Sequence, residues 1–412
     1  MVVPKDRTRP APPEPPTTSG VTAPAGFRAA GVRCGIRRSD LDLAVLVSET
    51  EASAAAVFTR NVVRAAPIQW SVRAIEKSGG RARAIVINSG NANACTGSDG
   101  ESAADRTARE TARLLGCGAE EVLVASTGVI GKKLPVERLT AALPGAIGRL
   151  SRDEGDAVAK AILTTDTCTK QSVRRVTEKN CRFVVGGMAK GSGMVHPDMA
   201  TTLAFVTTDA AVEPSVLQAM LRRACDRSFN RITVDGDTST NDMIAVLANG
   251  QAGTDASGGA CAELFERALT EVLVDLARAV ARDGEGATRL ITVRVTGATS
   301  ETDALEIART VSGSPLVKTA VHGCDANWGR IVAAAGRAGV DFRPELMALR
   351  INGLQVLAPG FVSEFSEEDA TRRLSLDEVV LELDLGAGAA EATAWTCDLT
   401  KEYIEINAHY RT

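Results

Sequence analysis

The chain has 412 residues, 44% of them hydrophobic and 24% charged, which is an ordinary balance for one large or two medium domains with real cores. A net charge of −4 with no basic stripe argues against a nucleic-acid partner, and no apolar run reaches the length of a membrane span. The three histidines, His196, His322 and His409, leave little room for imidazole-based catalysis or a His-rich zinc site. Nine cysteines, odd in number and without a C-x-x-C pair, read as free thiols in a reducing cytoplasm.

Residues 1–25 hold seven of the fifteen prolines and read as a disordered tail. Strand and helix patterns then alternate. Residues 84–87 read as a strand, 89–97 as an Asn/Gly-rich loop, and 101–115 as an amphipathic helix stopped by Gly116. A strand over 122–125 opens into Ser126-Thr127-Gly128. Residues 135–150, broken at Pro144-Gly145, and 155–163 look helical. The run 182–186 is a strand, and Leu203-Ala204-Phe205-Val206-Thr207 is a buried strand following a glycine-rich turn. Helices are expected over 215–228, 262–282 and 331–338, with a further acidic helix start at 366–369. Strands are expected over 290–295, 316–321 and 403–407. The class is α/β with mixed strand order rather than a clean βαβ repeat.

Several segments could carry chemistry. Thr201 stands at the mouth of the strand that begins at Leu203. A cut at Ala200-Thr201 would give Thr201 a free α-amine, whose pKa of roughly 7.7–8.0 makes it a usable base for its own hydroxyl. Spacing alone fits a hairpin entry as well. Thr127 and Gly128 follow a strand, and two consecutive backbone N–H groups there could hold an oxyanion; a simple strand-end turn is the plainer alternative. The glycine spacing of 128–133 is wrong for a phosphate loop. Lys190, in a glycine-rich loop, reads on its own as a solvated surface group. Glu285 reads as an exposed acid after a helix end. Residues 235–242 look like a calcium loop but lack the glycine and glutamate that an EF-hand requires.

The literal sequence goes further. Lys190-Gly191-Ser192-Gly193-Met194, Met199-Ala200-Thr201 and Leu203-Ala204-Phe205 resemble the self-cleavage site of the ornithine acetyltransferases, the ArgJ family of arginine biosynthesis. The likeness continues in Ser126-Thr127-Gly128-Val129-Ile130-Gly131, Thr164-Thr165-Asp166-Thr167, Asp283-Gly284-Glu285-Gly286-Ala287-Thr288, Asn327-Trp328-Gly329-Arg330 and residues 406–412. The resemblance implies a layered α/β fold of the DmpA/ArgJ type with mixed sheets. It also implies an α chain over 26–200 and a β chain over 201–412, produced by cleavage at Ala200-Thr201.

By the same resemblance Thr201 is the nucleophile and Thr127 and Gly128 form the oxyanion hole. Thr164, Lys190, Thr201, Glu285, Asn407 and Thr412 bind substrate. The implied reaction passes acetyl from N2-acetylornithine to glutamate by a ping-pong route through acetyl-Thr201. No metal or organic cofactor is needed, and acetyl-CoA as a second donor is left open. The implied assembly is a heterotetramer of two α and two β chains in the cytoplasm, without nucleic-acid or membrane partners. Two alternatives remain: an aminopeptidase of the same fold that passes the acyl group to water, and a non-catalytic amino-acid-binding module.

Overall fold

The computed structural model describes residues 20–38, 40–178, 180–196 and 202–409. Two sheets organise it. The first holds β1 (Phe27–Val32), β2 (Leu43–Phe58), β3 (Arg81–Asn88), β4 (Val122–Ser126), β5 (Lys170–Glu178), β6 (Cys181–Lys190), β7 (Leu203–Thr208) and β8 (Met243–Ala248). Its order is β4-β3-β2-β8-β7-β6-β5, with β1 also paired to β2. The second holds β9 (Leu290–Ala298), β10 (Ala348–Ile351), β11 (Leu354–Leu357), β12 (Glu378–Asp384) and β13 (Ala390–Cys397), in the order β11-β10-β12-β9-β13. Both sheets are mixed: β3 runs parallel to β4, β7 to β8 and β9 to β12, while the other pairs are antiparallel. This is the expected α/β arrangement of layers.

Eleven helices are described: α1 (Ala66–Lys77), α2 (Gly97–Leu115), α3 (Val136–Gly148), α4 (Gly155–Ala161), α5 (Pro214–Asp226), α6 (Gly259–Arg282), α7 (Glu301–Ser312), α8 (Pro315–His322), α9 (Trp328–Gly336), α10 (Glu367–Leu374) and α11 (Lys401–His409). Every residue of β7 and β8 is buried, because both faces of the first sheet are covered. That is why these strands read as unbroken apolar runs instead of alternating ones. Ala204 and Val206 pack on the side of α5 and α6, against Leu221, Val272, Leu276 and Val280. Leu203 and Phe205 pack on the opposite side, with Phe27, Ile68 and Met243. In α6 the buried residues recur every three or four positions (Leu269, Val272, Leu273, Leu276, Val280), the stripe that fixes a long helix on a sheet. The second sheet has its own apolar core, shared with α7, α8, α9 and α10.

Four local expectations are corrected. Gly20, Val21 and Thr22, expected within the disordered tail, form a buried 3-10 turn, and the Thr207 hydroxyl donates to the Val21 carbonyl at 2.7 Å. Residues 316–321 are helical, not a strand: Ser314 caps α8 and Pro315 starts it, a start signal that outweighs the β-branched Val317, Thr319 and Val321. Residues 403–407 are likewise helical. The alternation of isoleucine with polar residues mimicked a strand, but the Thr400 hydroxyl accepts from the Tyr403 N–H and begins α11. Pro144 sits inside α3 without breaking it, since Leu139, Leu143 and Ala146 are buried along its length. The cysteines are not all free either: Cys181 and Cys261 are disulfide-bonded, and the other seven are thiols.

Candidate active site

A cavity of about 260 Å³ opens where four strand ends of the first sheet converge. Thr127 and Gly128 follow β4, Lys190 ends β6, Thr202 precedes β7 and Leu203 starts it, and Asp242 precedes β8. Thr164 and Thr165 come from the loop after α4, Glu285 from the loop after α6, and Tyr403 and Asn407 from α11. Six residues expected in the site from sequence, Thr127, Gly128, Thr164, Lys190, Glu285 and Asn407, thus line one cavity although 280 positions separate the first from the last. Ala200, Thr201 and Thr412 lie outside the described residues.

The Thr127-Gly128 turn is held by a collar of asparagines. Asn241 donates through Nδ2 to the carbonyls of Ala92 (2.6 Å) and Ser126 (2.9 Å). Asn88 accepts from the Ser126 hydroxyl at 2.6 Å, and its own amide reaches the Asn91 carbonyl at 2.8 Å. Gly128 has φ +129°, and a Cβ there would drive into the backbone of Gly90 and Asn91. Only glycine fits. The pair of consecutive N–H donors expected from sequence is not what the turn presents. The Thr127 N–H is consumed by the Asn88 carbonyl at 2.9 Å, continuing the β3–β4 ladder. What remains for a ligand is the Thr127 side-chain hydroxyl and the Gly128 N–H.

Lys190 is not a solvated group. It ends β6, is 9% exposed, and its Nζ donates to Thr127 Oγ1 (3.0 Å) and Thr164 Oγ1 (2.9 Å). Burial pushes its pKa below the ordinary lysine value, and Asp166, Asp242 and Glu285 oppose that shift. Behind it lies a second buried lysine that sequence reading did not single out. Lys170 Nζ lies 2.7 Å from Asp166 Oδ1 and 2.7 Å from Asp283 Oδ2. Burial would lower the Lys170 pKa, but the two carboxylates raise it overall. Burial likewise opposes ionisation of Asp166, yet Lys170 and Lys190 hold that carboxyl below its usual range.

The same carboxylates take backbone donors. Asp166 accepts from the N–H of Thr164 (3.1 Å) and Gly191 (2.7 Å), and Asp283 accepts from the N–H and hydroxyl of Thr167. The triad therefore ties the 164–167 loop to the end of β6 and to the start of the loop that carries Glu285. The available sequence signal was weak: Asp166 stands inside the Thr-Thr-Asp-Thr motif and Lys170 four residues on.

Glu285 is buried rather than exposed. Its carboxylate lies against Gly193, and Oε2 accepts from Asn407 Nδ2 at 2.7 Å. A cation and an anion therefore face the cavity from different segments, a pairing suited to an amino acid with its carboxylate and ammonium. The acidic stretch 235–242 has a different role from a calcium loop. Asp235 accepts from the N–H of Met194 (2.6 Å) and Val195 (2.9 Å), pinning the segment that leads toward residue 201. Asp242 is buried at the cavity with Oδ2 unpartnered among the described residues, and burial drives its pKa well above the ordinary carboxyl value. Sequence reading placed Asp242 in that acidic stretch without giving it a part of its own.

Residues 28–412 match the model of the ArgJ family. The chain belongs to the ArgJ family. Among curated relatives, the arginine biosynthesis bifunctional protein ArgJ of Thermosynechococcus vestitus is 48% identical over 96% of this chain and 98% of its own. That of Symbiobacterium thermophilum is 51% identical over 95% and 98%. A solved structure of the ArgJ bifunctional protein of Bacillus halodurans, 45% identical, covers 50% of this chain and 98% of its own with a TM-score of 0.49. No described helix is long and apolar enough to cross a membrane.

Proposed function

We propose that this ArgJ-family chain is a glutamate N-acetyltransferase that carries acetyl from N2-acetylornithine to glutamate through an ester on Thr201. The observation that carries the reading is the meeting of Lys190, Glu285 and the Thr127-Gly128 donors in one cavity whose wall includes Thr202, the residue after the proposed nucleophile. Cleavage at Ala200-Thr201 frees the α-amine. That amine takes the Thr201 hydroxyl proton as Oγ attacks the acetyl carbonyl. The Thr127 hydroxyl and Gly128 N–H receive the developing oxyanion. Ornithine leaves with the transferred proton, glutamate enters, and its amine removes the acetyl group by the reverse path. Lys190 meets the carboxylate end of the amino acid and Glu285, held by Asn407, its ammonium. Thr164 and Thr412 complete the binding set. Acetyl-CoA is a second donor to test, and the cleaved pieces assemble in the cytoplasm as a heterotetramer of two α and two β chains.

The test is a mass measurement after brief mixing with acetylornithine and no glutamate. One acetyl mass should appear on the piece that begins at Thr201, and glutamate should discharge it much faster than buffer. Equal discharge by buffer would make the chain a hydrolase. An intact Ala200-Thr201 bond and no mass gain would make it a binding module. Thr201→Ala should remain a single uncleaved chain.

A further inference from the structure

We propose that Lys190 acts through Thr127: by donating to its hydroxyl oxygen it turns the Thr127 proton toward the reacting carbonyl and strengthens that donor. This role rests on the acetyl-transfer reading above and adds a positioning and polarising task to a residue otherwise placed at the substrate's carboxylate.

An ammonium has three N–H donors and no acceptor, whereas a threonine hydroxyl has one proton and can accept as well. Lys190 Nζ stands 3.0 Å from Thr127 Oγ1; in the ammonium form, which the nearby Asp166, Asp242 and Glu285 favour against burial, the lysine donates and the threonine oxygen accepts. The Thr127 proton then has to go elsewhere. The Thr127 backbone cannot supply a second donor, because its N–H is already given to Asn88. The hydroxyl lines the cavity beside Gly128, so the remaining direction for its proton is the position an oxyanion would take.

Charge adds to direction. A hydroxyl that accepts from a buried cation is polarised and becomes a better donor, an effect that grows where water is scarce. As the new C–O bond forms, the carbonyl π pair moves onto oxygen. Thr127 donates to that oxygen and keeps its proton, and collapse of the intermediate returns the pair and expels the amine.

Lys190 is well fixed for this task. Thr164 Oγ1 holds a second N–H at 2.9 Å. Its backbone pairs with Leu203 in the β6–β7 ladder, and the next N–H, that of Gly191, is fixed on Asp166. No carboxylate oxygen of a described side chain lies within hydrogen-bond distance of Nζ, so its charge is not cancelled at contact. Lys170 shows the contrast, with two carboxylates at 2.7 Å.

The test is a double-mutant cycle on acetyl transfer from acetylornithine to glutamate, with rates referred to the cleaved fraction of each preparation. Lys190→Met should lower kcat roughly 10²-fold, the scale of losing one oxyanion donor, alongside a smaller rise in KM from the lost carboxylate contact. In a Thr127→Val background the same change should cost less than about threefold more, because the group it acts through is gone. In Thr127→Ser, which keeps the hydroxyl, the full loss should return. A rise in KM at constant kcat, or losses that multiply in the double variant, would overturn the proposal. Should the melting curve show that Lys190→Met does not fold, Lys190→Gln replaces it. The glutamine keeps an N–H donor but no charge, and must show a fall in kcat between that of the parent and the roughly 10²-fold of a lost donor. A cleaved parent chain that transfers no acetyl at all would overturn the functional reading, and this role with it.

Discussion

The eight-stranded sheet sends the ends of β4, β6, β7 and β8 into one polar cavity, whereas no residue of β9–β13 lines it. The two sheets are otherwise alike in material, each built on Val, Leu, Ile and Ala. The difference lies in what is buried at the strand ends. Around the first sheet stand Asp166, Lys170, Lys190, Asp242, Asp283 and Glu285, all buried and nearly all fastened to backbone or to one another. The second sheet contributes by position. Asp398, just past β13, accepts from the N–H of Thr288 (2.7 Å) and Arg289 (2.9 Å), and Thr400 donates to the Gly286 carbonyl at 2.9 Å. These bonds return α11, with Tyr403 and Asn407, to the cavity. One sheet holds the buried charges around the cavity and the other delivers its last wall.

Substitutions can separate these roles. Lys170→Met should give the largest effect, because it leaves Asp166 and Asp283 buried without their cation. Denaturant unfolding should show a loss of about 3–5 kcal/mol. A loss below about 1 kcal/mol would mean the triad does not fasten the site. Gly128→Ala comes next. Its Cβ meets Gly90 and Asn91, so the turn must shift, and kcat should fall roughly 10²–10³-fold as a donor moves away. Normal turnover would remove Gly128 from the proposed oxyanion hole. Ile291→Val, in β9, should cost about 0.5–1.5 kcal/mol as a buried methylene is lost. Its kcat should stay within the error of the assay; a clear drop would show that the second sheet reaches the chemistry after all.

Asp242→Asn is the mildest and the most pH-dependent. Burial raises the Asp242 pKa above that of the unfolded chain. Between the two values the native state keeps a proton that the unfolded state has lost, so this group's contribution to stability falls as pH rises through the window. The asparagine variant escapes that loss. Its melting temperature should match the parent near pH 4 and exceed it by roughly 1–3 °C near pH 8. The opposite trend would mean that Asp242 is ionised and paired at neutral pH.

The sequence made the central strand and the site motifs legible for local reasons. A β-branched apolar run marks β7, and a strand ending in Thr-Gly marks the turn after β4. It misled where one pattern fits two structures. In α11 the order Tyr-Ile-Glu-Ile-Asn alternates like a strand, yet Ile404 is 66% exposed and the helix is fixed by its cap and by Asn407 reaching Glu285. The buried state of Lys190 and Glu285 was illegible because each looks like a surface charge until other segments close over it. Lys170 and Asp283 are 113 positions apart, and their pairing depends on how α6 lies along β5. Family likeness supplied what spacing could not, by pointing at Lys190 and Glu285 together.

The disulfide gains a second meaning from where it lies in the chain. Cys181 and Cys261 fall on either side of residues 200 and 201. After cleavage at Ala200-Thr201, that sulfur–sulfur link would be the only covalent tie between the two pieces, since the other seven cysteines are thiols. A denaturing gel run without a thiol reagent would then show one band from fully processed protein, and one run with it would show two. Reductant would unlink the halves without parting them, because β6 and β7 remain zipped edge to edge over six residue pairs.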